Sequence, residues 1–237
     1  MKKLYLFVAL CLGTVSYAQA STADSTKSYS IAFHAGYGHN LTYGSFANFD
    51  IDAHMPIHPY FEAEANLRAS TANRYALGMQ LRPKFALPVG EMYIEDRLMA
   101  NFVVRDQVNE FIHAISLGYR MQYVDAQLGV FSRLMVPMPY ERNSNNEMIS
   151  EPFKLLYRVE AFVRPATSCW NIGIALSNID DYTMERPWSP VLFLRGWYDV
   201  NEHWRVQLAG KYKNAGMFHM NAHYYASEVR LGAEYRF

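Results

Sequence analysis

The chain has 237 residues, of which 51% are hydrophobic and 19% are charged, and its 22 basic residues balance its 22 acidic residues. Because there is no basic excess, the composition argues against a nucleic-acid partner. Of the two cysteines, Cys11 and Cys169, only Cys169 lies outside the N-terminal segment that we expect to be removed. The exported chain therefore cannot be stabilised by an internal disulfide.

The first 20 residues have the pattern of a secretory signal peptide. Lys2 and Lys3 precede an apolar run, Leu4–Val15, which is followed by the small-residue site Ala18–Ala20. The run is too short for a membrane-spanning helix, which needs about 20 apolar residues. We predict Sec-type export with residues 1–20 as the signal peptide. Residues 21–28 are polar and are predicted to form a short disordered periplasmic segment.

From residue 29 to residue 237, apolar and polar residues alternate in about twelve segments. The segments begin near Tyr29, Ala47, Phe61, Tyr75 and Ile94 and continue as Phe111–Val124, Ala126–Val136, Leu155–Val163, Trp170–Leu176, Pro190–Tyr198, His203–Tyr212 and Tyr225–Phe237. Alternation with a period of two is typical of strands, and segments of about ten residues suit tilted membrane strands. The pattern predicts an all-β fold, a closed antiparallel transmembrane β-barrel of about 12 strands, with 10 or 14 left open. Asp96 falls among the apolar positions, so we expect a bulge or a shifted register there.

The links between segments are short at every second position. The short links are Pro56–Pro59, Pro88–Gly90, Val124-Asp125, Pro165–Ser168 and Asp199–Glu202, whereas residues 137–153 and 178–189 form long links. Short periplasmic turns that alternate with longer outer loops are typical of outer-membrane barrels. An even number of strands then returns the C-terminus to the periplasm.

The final segment carries the most specific signal. Tyr225, Val229, Tyr235 and Phe237 share one face, and Glu228 lies on the other. A strand closed by a terminal aromatic residue resembles the C-terminal signature of bacterial outer-membrane β-barrels of porin-like type. The resemblance implies location in the outer membrane of a Gram-negative bacterium. It also implies contact with outer-membrane lipid, and recognition of Tyr235 and Phe237 by the barrel-assembly machinery.

A soluble sandwich or lipocalin-like barrel would show the same alternation. Such folds bury the apolar face, and the opposite face here carries charges in nearly every segment. Aromatic residues also gather at segment ends, as in membrane girdles. Both features favour the membrane barrel.

The polar face would then line the lumen. We predict that its basic residues are Arg120, Arg133, Arg158, Arg195, Arg205 and Arg230, and that its acidic residues are Asp50, Asp52, Glu62 and Glu64. Acids on the second and third segments would face arginines on the later ones and set up a transverse field. This arrangement predicts a narrow passive channel for small polar or anionic solutes. Alternatively, salt bridges fill the barrel, which would then be structural or adhesive and act through the two long loops.

A lipid-directed hydrolase is a third possibility, but the sequence shows no convincing catalytic constellation. No His-x-Ser spacing occurs; His219, Asn221 and His223 alternate on one face and are interpreted as rim residues. His54 and His113 are isolated and are predicted to be interfacial or luminal. We therefore predict no catalytic residue, no metal site and no cofactor, and the sequence does not indicate the oligomeric state.

Overall fold

The computed structural model describes residues 29–72, 74–104, 108–137, 148–163, 169–178, 189–215 and 223–237. The predicted signal peptide, residues 1–20, and the predicted segment 21–28 lie outside this range. In the described part the chain forms twelve strands. These are β1 (Ser30–Asn40), β2 (Gly44–His58), β3 (Phe61–Ser70), β4 (Arg74–Ala86), β5 (Glu91–Val103), β6 (Val108–Arg120), β7 (Val124–Pro137), β8 (Ile149–Val163), β9 (Trp170–Ser177), β10 (Val191–Asp199), β11 (Trp204–Ala215) and β12 (His223–Arg236).

The twelve strands form one closed antiparallel barrel, in which each strand pairs with its neighbours in sequence and β1 pairs with β12. The closing pair runs in continuous register from Ser30 opposite Arg236 to Asn40 opposite Ala226. Closure leaves no sheet edge, so the backbone groups of every strand have a partner strand on both sides. The predicted fold class and the predicted number of strands are confirmed. No helix in the described ranges is both long and apolar enough to cross a membrane.

The two ends of the barrel differ in the length of their connections. At the end that carries Ser30 and Phe237, called here the termini end, residues 59–60, 87–90, 121–123 and 200–203 form short turns. At the opposite end, called here the loop end, the longest connections span residues 138–148 and 178–190. The predicted asymmetry is therefore present. The predicted link Pro165–Ser168 and most of the two long loops lie outside the described residues.

Three predicted boundaries are wrong. The link predicted as Pro56–Pro59 is shorter, because Pro56 pairs with Glu62 and His58 pairs with Phe61, which leaves residues 59–60 as the turn. The turn between β6 and β7 is Met121–Tyr123, not Val124-Asp125, because Val124 already pairs with Ala161 of β8. The Met121 amide donates to the Val124 carbonyl at 2.7 Å and closes that turn. The long link also ends earlier than predicted, since β8 begins at Ile149.

The last strand contains a bulge that cannot be recognised from the alternation of its sequence. The β11–β12 register shifts after Lys213, which pairs with Ala226, while Asn214 pairs with Tyr224. The extra residue, Tyr225, is 5% exposed, and the Lys213 ammonium lies 5.9 Å from its ring centroid. A bulge places two consecutive residues opposite one, which reverses the facing of the residues beyond it. Tyr225 therefore does not share the outer face with Val229, contrary to the prediction.

The expected irregularity at Asp96 does not occur. The β5–β6 pairing is continuous from Glu91 opposite Arg120 to Val103 opposite Val108. Asp96 lies on the outer face of this regular pair and accepts a hydrogen bond from His113 Nε2 at 2.8 Å. His113 is consequently an outward residue with a partner, and neither isolated nor luminal.

The two faces of the barrel wall have opposite character. Apolar side chains of the outer face are widely exposed, with Leu128 at 61%, Val229 at 60% and Leu194 at 55%. Charged side chains of the inner face are buried, with Glu95 and Glu228 at 3%. This distribution is the reverse of that in a soluble barrel, whose apolar side chains fill the interior.

Candidate functional site in the barrel lumen

The lumen holds a cavity of about 390 Å³, lined by inward side chains of strands around the barrel. Its charged members are Asp52, Glu64, Glu95, Asp125, Glu160, Arg82, Arg97, Arg120, Arg158, Arg195, Arg205 and Arg230. Among the lining side chains, seven guanidinium groups thus face five carboxylates, while Asp199, Asp50 and Glu228 contact lining arginines from outside this set. Side chains reach this space because alternate residues of each strand point inward.

The most open basic group lies on β8 and β10. Arg158 donates to Glu160 at 2.5 Å, and Arg195 Nε lies 3.9 Å from the other oxygen of the same carboxylate. The side chains of Arg195 and Arg158 are 32% and 20% exposed, whereas that of Glu160 is 4% exposed. Two guanidinium groups therefore contact one buried carboxylate on the wall of the cavity.

The remaining predicted basic residues are held by further carboxylates. Arg205 donates to Asp199 at 2.7 Å, near the termini end. Arg120 donates to Asp125 at 2.7 Å. These contacts hold the guanidinium planes against the wall, since a fork-shaped donor is fixed by a carboxylate acceptor.

Arg230 and Arg133 occupy different surroundings. Arg230 lines the cavity and lies 3.4 Å from both Asp50 and Glu228. Arg133 is not among the lining residues of the cavity; it bonds to Glu110 and lies 3.6 Å from Glu151 toward the loop end.

The four predicted acidic residues divide into two groups. Asp52 and Glu64 line the cavity, and Asp52 lies 3.1 Å from His34 Nδ1. Asp50 is 2% exposed and accepts from Arg68 at 2.6 Å, and Glu62 bonds to Lys84. The acids are therefore interleaved with cations, and the cavity does not have one purely acidic wall opposite one purely basic wall.

Tyr93 and His34 line the cavity but were absent from the predicted site, whereas Glu95, Arg82 and Arg97 occupy inward positions of the alternating pattern. Glu95 binds Arg82 at 2.7 Å and Arg97 at 2.8 Å, and the Tyr93 hydroxyl donates to Asp125 at 2.5 Å. His34 donates or accepts at 3.1 Å with Gln207 across the β1–β12–β11 wall. His34 alternates with the other inward residues of β1, so the sequence pattern could have predicted that it faces the lumen. Its contacts could not be predicted, because they depend on how the strands pair.

Toward the loop end, a buried charged network fills one side of the lumen. Glu228 accepts from Asn48 at 2.8 Å and from Arg68 at 2.7 Å, and lies 3.0 Å from Lys211 Nζ. A smaller cavity of about 60 Å³ remains beside this network. Buried acids and bases pair here because an isolated charge away from water is costly.

An inward apolar cluster fills the opposite side at this level. It comprises Met99, Ile112, Ala114, Phe131 and Leu156, with Phe131 and Leu156 each 1% exposed. The lumen lining is therefore not charged throughout, since this part of it is apolar. The lumen is wider around the charged cavity than at the level of this cluster.

No group of three or more His, Cys, Asp or Glu side chains in the described ranges is arranged to hold a metal ion. His219 and Asn221 lie outside those ranges, as does the side chain of His223. His54 lies on an inward-facing position of β2, opposite Glu64 in the β2–β3 pair.

No family model and no curated protein matches the sequence at a significant level. The fold nevertheless resembles solved outer-membrane barrels. The KdgM porin in complex with disordered oligogalacturonate superposes with a TM-score of 0.54 and 10% identity over 88% of this chain and 99% of the porin. The NanC porin gives 0.54 and 8% identity over 87% and 100%. The translocator domain of the autotransporter NalP from Neisseria meningitidis gives 0.54 and 13% identity over 98% and 95%.

At these identities the likeness extends to the fold alone. Each of these structures is matched over nearly its whole length, so the similarity concerns complete barrels and not a shared hairpin. The chain therefore has the fold of bacterial outer-membrane β-barrels, a group that includes porins and an autotransporter translocator.

Proposed function

We propose that the protein spans the outer membrane of a Gram-negative bacterium. There it serves as a narrow passive channel for small polar solutes, with a preference for anions. The membrane location is supported by the exposed apolar outer face and by the likeness to outer-membrane porins. In water, an outer face of this size would be an aggregation site, whereas lipid tails cover it at no cost.

The observation that carries the anion preference is the cluster of Arg158, Glu160 and Arg195 on the wall of the 390 Å³ cavity. Arg195 is the more exposed of the two cations, and its guanidinium can bind a carboxylate in two-point fashion. Rings of Arg and Lys select anions in pores. A solute that enters the cavity would meet this cluster across from Asp52 and Glu64.

The class of solute to test first follows from chemistry and from one of the similar barrels. The KdgM porin was solved with oligogalacturonate, which is an acidic sugar polymer. A small sugar acid offers one carboxylate for Arg195 and several hydroxyls for the other polar side chains of the cavity. We therefore expect sugar acids to pass more readily than neutral or amino sugars of the same size.

The terminal strand and the N-terminus fit the proposed location. Trp204 and Phe237 each pack against Tyr235 with ring centroids 5.0 Å apart, at the termini end. We propose that Tyr235 and Phe237 form the signal that the barrel-assembly machinery recognises. Residues 1–20 would be the signal peptide that directs Sec-type export.

Proteoliposome swelling tests the channel directly. Liposomes that carry the folded protein are diluted into iso-osmotic gluconate, glucose or glucosamine, which have similar sizes and charges of minus one, zero and plus one. The proposed function predicts swelling fastest in gluconate and slowest in glucosamine. Swelling no faster than that of protein-free liposomes would contradict a channel, and fastest entry of glucosamine would contradict the anion preference.

A closed structural or adhesive barrel is the second candidate. The observation in its favour is the layer toward the loop end, where Phe131 and Leu156 are 1% exposed and Glu228 is 3% exposed. If this layer stays closed, the cavity would be a pocket and the loops would carry the function. Absence of swelling from protein that is shown to be folded would favour this candidate.

A further inference from the structure

Three polar side chains lie side by side on the outer face of β5, β6 and β7. Asp96 and His113 are joined by a 2.8 Å contact between Oδ1 and Nε2, and their side chains are 45% and 46% exposed. Ser132 lies directly opposite His113 in the β6–β7 register. These three residues are called here the outer polar cluster.

The outer polar cluster is surrounded by apolar residues. Leu98 lies opposite His113, and Ile115 lies opposite Asp96. Along β6 the outward positions continue with Phe111 toward the loop end and Leu117 toward the termini end, and both are exposed. The cluster therefore sits within the apolar band and not at its rim.

This location is unfavourable for a barrel that faces only lipid. An acid and an imidazole in contact with hydrocarbon lose their hydration, and lipid offers neither donors nor acceptors in return. The intrachain contact joins Nε2 of the ring to Oδ1 of the carboxylate, and in hydrocarbon a second polar partner would be needed to satisfy Nδ1 and Oδ2. A partner that supplies a donor and an acceptor together would satisfy both atoms.

We propose that this partner is a second copy of the chain, docked on β4–β7 about a twofold axis that runs parallel to the barrel axis between β5 and β6. The inference rests on the membrane location proposed above and is independent of channel activity. Such an axis places β5 of one copy opposite β6 of the other, which brings Asp96 of one copy toward His113 of the other. In this arrangement Nδ1 of His113 lies toward the carboxylate of the second copy's Asp96, and the contact is made twice.

The charge pattern makes the surface complementary to itself. The Asp96–His113 pair has an acceptor carboxylate at one end and an imidazole at the other, and a twofold rotation sets two such pairs head to tail. Isologous interfaces have this property, since residue i contacts j while j contacts i. Apolar neighbours such as Leu98 and Ile115 provide the packed surface around the four polar groups.

Site-directed cross-linking in lipid tests the dimer. In a Cys169→Ser background, Leu98→Cys lies within the proposed interface, and Leu208→Cys lies outward on the distant strand β11 as the matched control. The purified variants are reconstituted at low density and oxidised. The proposal predicts a disulfide-linked dimer for Leu98→Cys at least fivefold above the collisional level of Leu208→Cys. Equal yields from the two positions would overturn it.

Substitution of the polar pair identifies its contribution. Adding Asp96→Leu and His113→Leu to the Leu98→Cys chain should weaken dimerisation about tenfold, because two polar contacts within a membrane, at about 0.6 kcal/mol each, add up to roughly that factor. The exchanged pair, Asp96→His with His113→Asp, keeps the complementarity and should restore the dimer. If the double leucine variant forms as much dimer as the Leu98→Cys chain, the polar pair does not contribute to the interface.

Folding and channel activity are measured on the same samples. Because leucine suits a lipid-facing position, the double leucine variant should fold at least as well as the parent, judged by its resistance to unfolding by heat in detergent. Unitary conductance recorded from these variants separates the two proposals. A dimer without conductance would contradict the channel alone, and a conducting monomer would contradict the dimer alone.

Discussion

Reversing the charge of the arginine cluster should reverse the ion preference of the pore. The double substitution Arg158→Glu/Arg195→Glu changes the cavity wall by four charge units. Seven guanidinium groups and five carboxylates line the cavity in the natural protein. In the variant, five guanidinium groups face seven carboxylates among the lining side chains, so the lining becomes more negative by four charge units.

The expected size follows from a screened Coulomb energy. For an ion about one Debye length away, roughly 8 Å at 0.15 M, each unit charge contributes about 0.2 kcal/mol in water. The contribution has opposite signs for anions and cations, so each charge unit changes their relative preference by about 0.4 kcal/mol. Four units give about 1.6 kcal/mol, which is roughly a tenfold change in the anion-to-cation permeability ratio.

The assay is the reversal potential of the folded protein in a planar bilayer under a tenfold salt gradient. The natural protein should give the sign of an anion-preferring pore, and the double glutamate variant the opposite sign. Arg158→Gln/Arg195→Gln changes the wall by two units and should give about half the shift in energy. Glu202→Arg, in an exposed turn outside the cavity, is the control and should change the reversal potential little.

A conducting double glutamate variant with the natural reversal potential would refute the reasoning. That result would mean that the path of the permeating ions does not pass Arg158 and Arg195. A full shift already present in the Glu202→Arg control would also refute it, because the assay would then be reporting surface charge.

Three further outcomes are expected. Phe131→Ala should widen the layer toward the loop end and raise unitary conductance, at a stability loss of about 3 kcal/mol; unchanged conductance would show that this layer is not the constriction. Glu228→Gln should lower the free energy of unfolding in urea by about 3 kcal/mol, because three cations lie around this buried carboxylate. Glu234→Gln, at a more exposed side chain, should cost less than half of that, and equal losses would contradict the burial argument. Deletion of Phe237 should reduce the heat-resistant barrel recovered from outer membranes, whereas Phe237→Tyr should not; full recovery of the deletion would contradict the assembly signal.

The fold could be predicted because a single physical rule governs it. A wall between lipid and lumen requires alternate residues to be apolar, and that rule repeats along the chain from residue 29 onward. The rule fails where backbone geometry is irregular. Tyr225 fits the alternation in sequence, yet the bulge opposite Lys213 turns it inward. Nothing in the local sequence distinguishes this tyrosine from an outward one.

The contacts within the site could not be predicted because they join different strands. Alternation places Arg158 and Arg195 on the inner face, but only the pairing of β8, β9 and β10 brings both to Glu160. Contacts between strands also explain why the sequence suggested a bulge or a shifted register at Asp96. Its partner His113 lies on the next strand, 17 positions further along the chain. The alternation within each strand is sufficient to predict that both side chains face outward.

The apolar cluster around Phe131 shows a further limit of the pattern. Alternation separates two faces but does not require the inner face to be polar at every level. Met99, Ile112 and Leu156 pack together inside the barrel because they lie at one height on neighbouring strands. Hydropathy along a single strand does not reveal that coincidence.

Single-channel recording of purified residues 21–237 in a planar bilayer tests the central claim most directly. The account predicts steady unitary openings of small conductance whose reversal potential in a salt gradient shows anion preference. Silence from protein that is demonstrably folded and inserted, or openings that prefer cations, would contradict it.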